Sequence, residues 1–152
     1  MKILTLLSVA ALVFCAPATS VRADDAPRTI TITGNDAMKF DVATINAAPG
    51  EKLKIVFKNV GTLPKEAMGH NLIILKKGSD PVAYATAAMA DKESGYMPKD
   101  KAGDVVAGTK LLGPGESDTI EFTVPADAGE YPYLCSFPAH CMAGMKGVLI
   151  VK

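Results

Sequence analysis

A chain of 152 residues with 16 basic and 16 acidic side chains has the length of one domain with a modest core, and no net charge at pH 7. That balance excludes a nucleic-acid partner held by a basic face. No internal repeat and no low-complexity tract interrupts the chain.

Residues 1–23 read as a signal peptide, with Lys2 as the positive start and an apolar run from Ile3 to Phe14. Val21-Arg22-Ala23 offers small residues where a signal peptidase cuts. The run is shorter than the roughly 20 residues of a spanning helix, so no stable membrane insertion is expected. Cleavage after Ala23 leaves a single domain, 24–152, exported to the periplasm. A rival cut follows Ala16-Pro17-Ala18, and Cys15 raises a lipid-anchor reading, which the bulky Phe14 before it opposes. Losing Lys2 and Arg22 leaves 14 basic against 16 acidic groups, and losing Cys15 leaves Cys135 and Cys141.

The mature chain opens polar and then alternates: Thr29-Ile30-Thr31-Ile32-Thr33 is a half-buried strand, ended by Gly34-Asn35-Asp36. Phe40 to Ala47 is strand-compatible, and Ala48-Pro49-Gly50 is a turn. Leu53, Ile55 and Phe57 alternate with lysines in a strand with one wet face, and Gly61 to Met68 reads as a loop. His70 to Leu75 suits a buried strand. Ser79 or Asp80 as N-cap and Pro81 in the first turn start a helical insert over about 80–92, a lid with an irregular return over Gly95 to Gly103. Val105 to Lys110 is extended, Gly113-Pro114-Gly115 turns, and Thr119 to Val124 alternates. Tyr131 to Cys135 and Lys146 to Lys152 complete an all-β, antiparallel sandwich.

Between those last two strands lie Cys135, His140 and Met145, at C-x4-H-x4-M spacing. Thiolate and thioether suit Cu(I), imidazole suits both copper states, and a trigonal His2Cys set with a distant axial Met serves both. The second imidazole can come from His70, the one other histidine of the chain. Met142 is a rival to Met145 as axial donor, while Met68, Met89 and Met97 read as packing or surface-patch residues. Zinc is the alternative metal, although Met is a poor zinc donor. A Cys135–Cys141 disulfide is the alternative use of the thiols in an exported chain.

The run Cys135-Ser136-Phe137-Pro138-Ala139-His140 resembles the ligand loop of blue copper proteins, the cupredoxins, and within them the azurins. Asn35-Asp36-Ala37-Met38-Lys39-Phe40, Gly61-Thr62-Leu63-Pro64-Lys65, Met68-Gly69-His70-Asn71 and Gly113-Pro114-Gly115-Glu116 resemble azurin segments in azurin order. The resemblance implies a Greek-key sandwich of about eight strands with one type 1 copper, held by His70, Cys135, His140 and Met145. It further implies a carbonyl of Gly69 near the opposite axial position, and Asn71 tying the two ligand loops together. Four residues separate His140 from Met145, one more than in azurins and as many as in auracyanins and plastocyanins. Ala139 replaces a loop glycine, Leu72 stands where azurins often have tryptophan, and no cysteines exist for the azurin disulfide near the mature N-terminus.

The function implied is electron transfer by a soluble, monomeric carrier cycling Cu(I)/Cu(II). Redox proteins such as cytochromes would dock on an apolar patch beside His140, made by Leu63, Pro64, Met68, Pro138, Ala139 and Met142. A periplasmic copper carrier or chaperone is the competing role. An enzyme is disfavoured, because a further catalytic copper needs histidines beyond the two present.

Overall fold

The computed structural model describes residues 26–152, so the expected signal segment and its cleavage site lie outside the described residues. Among the described residues, nine strands form two packed sheets: β1 (Arg28–Asn35), β2 (Lys39–Phe40), β3 (Thr44–Ala47), β4 (Lys52–Asn59), β5 (Ile73–Leu75), β6 (Val105–Gly108), β7 (Ser117–Thr123), β8 (Gly129–Leu134) and β9 (Lys146–Val151). The first sheet runs β2-β1-β4-β7 and the second β3-β9-β8-β5-β6. The expected sandwich is present, with one difference in its ladders: β1 pairs with β4 and β3 with β9 in parallel. Both parallel pairs join strands that cross over in sequence, a relation that alternation within a single strand does not encode.

Alternation builds the core. Leu53, Ile55 and Phe57 of β4 point inward and are fully buried, while Lys52, Lys54, Val56 and Lys58 lie on the other face. They meet Ile32 from the same sheet and Ile74, Tyr133, Leu149 and Val151 from the other. Side chains buried to this extent each contribute on the order of 1.5–3 kcal/mol. Tyr133 closes one margin by donating its hydroxyl to the Val42 carbonyl at 2.5 Å.

The expected stretch from Phe40 to Ala47 divides into β2 and β3, with Asp41 turning back to accept from the Thr33 backbone at 2.6 Å. The expected loop over Gly61 to Met68 contains a four-residue helix, α1 (Lys65–Met68), which buries none of its residues. The insert forms α2 (Pro81–Ala88) and two 3-10 turns at Lys92–Ser94 and Lys99–Asp104. Asp80 caps α2 by accepting from Val82 N and Ala83 N at 2.8 and 3.3 Å. Tyr84, Ala85 and Ala88 pack on Ile73, Leu75, Leu134, Cys135 and Cys141. This lid explains why all three residues of β5 are buried: Ile74 faces the sandwich core, and Ile73 and Leu75 face the insert.

Candidate metal centre

Three of the four expected ligands converge at one end of the sandwich. His70 Nδ1 lies 3.2 Å from His140 Nδ1, and Cys135 Sγ lies 4.0 and 3.4 Å from those two nitrogens. All three side chains are buried, and their donor atoms lie within 4.8 Å of one another.

Each donor is fixed by its backbone. His70 follows the buried Gly69 and exchanges two hydrogen bonds with Leu112, at 3.0 and 2.8 Å. A side chain at Gly69 would press within 2.7 Å of the Lys65 carbonyl, so that approach requires glycine. Cys135 leaves the end of β8, and its N–H donates to the Met145 carbonyl at 3.0 Å. Met145 N–H in turn donates to the His140 carbonyl at 2.9 Å, so the loop closes on itself where β9 begins. The side chain of Met145 is fully buried, and Gly34 of β1 makes room for it: a Cβ there would meet Met145 Cε at 2.7 Å. Met142, the rival axial donor, is 47% exposed. Lys39 fastens the longer loop from outside by donating to the Ala143 carbonyl at 3.0 Å.

The two donor-bearing segments are bolted to each other. Asn71 accepts from Ser136 N–H at 2.8 Å and donates to Ser136 Oγ at 2.8 Å. Asn71 thus takes the cross-linking place that the resemblance implies. Ser136 Oγ also donates to the Tyr96 carbonyl at 2.6 Å, and Asn71 Nδ2 donates to the Gly95 carbonyl at 3.2 Å. The Phe137 ring lies 4.6 Å from the His140 ring and 5.1 Å from the Tyr96 ring. Sequence reasoning missed Tyr96, because nothing local marks a return loop as reaching the centre.

Burial sets the electrostatics. Desolvation pushes His140 down to about 4, with His70 a smaller cause, so its imidazole is neutral at pH 7 with a lone pair to give. Desolvation also lowers His70, against the opposing pull of the Asp36 carboxylate and the Asn35 carbonyl. The Nε2 of His70 is buried, and the nearby Asn35 carbonyl favours the protonated ring. Cys135 is driven up to about 12 by burial, partly relieved by the backbone N–H groups of Asn71 and Phe137 facing the sulfur. Two neutral imidazole nitrogens and a thiol pressed together in a dry pocket suit a soft or borderline cation that displaces the thiol proton.

Cys135 and Cys141 are both free, which sets aside the disulfide alternative. Cys141 turns toward the insert and donates weakly to the Pro81 carbonyl of α2 at 3.5 Å.

Comparison with known proteins agrees with this geometry. Residues 27–152 match the sequence profile of copper binding proteins of the plastocyanin/azurin family. The chain is 45% identical over 125 residues to azurin-2 of Alcaligenes xylosoxydans xylosoxydans, covering 78% of this chain and 93% of that protein. It is 40% identical over 126 residues to azurin of Alcaligenes faecalis, covering 79% and 94%. Among solved structures, dithionite-reduced auracyanin from Roseiflexus castenholzii superposes with a TM-score of 0.73 at 36% identity, covering 82% of this chain and 96% of that one.

Proposed function

Because this chain belongs to the plastocyanin/azurin family of copper-binding proteins and its centre suits a single type 1 copper, we propose that it is a small soluble electron carrier between redox partners. His70, Cys135, His140 and Met145 would hold the ion, with the Gly69 carbonyl as a further weak donor. When bound, copper supplies a one-electron couple between Cu(I) and Cu(II). The observation that carries this reading is the convergence of one thiol and two imidazoles, all buried, within 4.8 Å.

The protein's own contribution is rigidity and dryness. The Asn71–Ser136 bonds and the Leu112–His70 pair hold the donors in one arrangement, so little of the structure has to move when charge changes. The N–H groups of Asn71 and Phe137 favour the thiolate form of Cys135. Electrons are proposed to pass at the edge of His140, beneath the patch expected from the sequence. Leu63 and Met142 there are 44% and 47% exposed, with Pro64 and Ala139 also exposed and Met68 and Pro138 half-buried. A small uncharged surface suits brief docking with partners such as cytochromes. The signal-like residues 1–23 support a periplasmic setting, and among the described residues no helix is long and apolar enough to cross a membrane.

Adding Cu(II) to the metal-free mature protein should give an intense visible charge-transfer band from the Cys135 sulfur, lost in Cys135→Ser. A colourless complex, or full colour in that variant, would refute the assignment. Delivery of the metal itself is the competing role, and it calls for exchangeable donors, whereas the three converging ones are buried. A chelator stripping copper within seconds would favour delivery. A carrier should hold its metal for hours. A charge introduced as Met68→Glu should slow reduction by a cytochrome while leaving the band unchanged, and an unchanged rate would place the docking surface elsewhere.

A further inference from the structure

We propose that Tyr96 is a positioning residue for the metal centre, acting through Ser136, the chain neighbour of Cys135, and through Phe137, whose ring lies against His140. The proposal rests on the copper reading above and adds a residue to it. The turn Gly95-Tyr96 belongs to the insert and supplies no donor atom, yet it touches each donor's immediate support. Gly95 offers its carbonyl to Asn71, the neighbour of His70. Tyr96 offers its carbonyl to Ser136, the neighbour of Cys135, at 2.6 Å. Its ring meets Phe137 edge-on at 5.1 Å, and Phe137 lies against His140 at 4.6 Å.

The backbone of this turn is what makes the arrangement informative. Gly95 and Tyr96 are both left-handed, with φ of 69° and 63°. For glycine that conformation is free; for tyrosine it costs on the order of 1 kcal/mol or more. A residue held there needs contacts that offset the cost. Tyr96 has them: its N–H donates to the Asp91 carbonyl at 2.9 Å, its carbonyl accepts from Ser136, and the residue is only 6% exposed, its ring beside Phe137. Had the turn served only to reverse the chain, a second glycine would do so without strain. The ring is therefore the part to be explained, and its contact is with the aromatic side chain that stacks on a donor. An edge-on pair of this kind adds modestly to area burial, and here it restricts Phe137 and through it the His140 ring.

Two variants separate ring from backbone. Tyr96→Gly keeps the carbonyl and relieves the left-handed strain while removing the ring; Tyr96→Phe keeps the ring. In the metal-free protein, amide hydrogen exchange at His140, whose N–H donates to Phe137 O at 3.1 Å, should quicken about two- to tenfold in Tyr96→Gly relative to Ile55 in mid-β4. Tyr96→Phe should match the native protein. With copper bound, Tyr96→Gly should shift the position of the charge-transfer band and the reduction potential, and Tyr96→Phe should shift neither. Exchange that quickens equally at Ile55 and His140, or a band and potential unmoved in Tyr96→Gly, would overturn the proposal by reducing Tyr96 to ordinary packing. If the native protein itself stays colourless with copper, the copper reading fails, and exchange in the metal-free protein still decides whether Tyr96 orders the donors.

Discussion

Ala139 holds a left-handed backbone, φ 70°, immediately before the donor His140, at the position where azurins are expected to carry glycine. A Cβ in that region crowds the following carbonyl. Ala139→Gly should therefore stabilise the metal-free protein by about 0.5–1 kcal/mol, the relief of strain being partly offset by a freer unfolded chain. The midpoint of urea unfolding measures this. A midpoint equal to or below the native one would mean that the loop adopts this bend without strain. At the same scale, most of the candidate site was legible: Cys135, His140 and Met145 lie within eleven residues of sequence, and His70 was the one other imidazole available. Tyr96 and Lys39 were illegible because they reach the loop through space, one by a ring and a carbonyl, the other by a charged tip.

Among the elements, α2 could be read from local signals, a serine or aspartate cap followed by proline and alanines, and the structure makes Asp80 the cap. Its contribution can be tested at that cap. Asp80→Ala removes the acceptor for Val82 N and Ala83 N and should cost about 1 kcal/mol in stability, read by denaturant unfolding. No change would mean that packing of Tyr84, Ala85 and Ala88 alone holds the helix. Short α1 escaped a reading because it has no buried face to impose a helical period on the sequence. The alternation in β1 and β4 was plain, but their parallel register was not, since it depends on which strand lies beside which. The buried run before Lys76 could be read as a strand, while the reason for its burial on both faces lay in the distant insert.

Across the whole molecule, Arg28 of β1 joins the sheets: its side chain donates to the Asn46 carbonyl in β3 at 2.7 Å and pairs with Glu51 at 2.5 Å. Glu51 also accepts from Ala48 N–H at 2.9 Å, and these contacts, the Arg28 bond first, hold its carboxyl below the ordinary value of 4.5. A depressed carboxylate stabilises the fold above its unfolded pKa and loses that contribution as pH falls through the folded value. Glu51→Gln should consequently cost up to about 1 kcal/mol at pH 7, as expected for a largely solvated pair, and the difference from the native protein should fade below pH 4.5. Unfolding free energies measured from pH 7 to pH 3 test this; a difference that grew on acidification would contradict it.

The strand β9 lies in the interior of its sheet, between β3 from the early part of the chain and β8 just before it. Neither partner can complete its ladder until β9 arrives, so the second sheet closes by contacts far apart in sequence, which makes folding slow compared with a chain of local contacts. The loop carrying Cys135, His140 and Met145 is the link between β8 and β9. The pairing of β9 with β8, Leu134 opposite Lys146, also fixes the two ends of that loop, so closing the sheet and shaping the loop are one folding event.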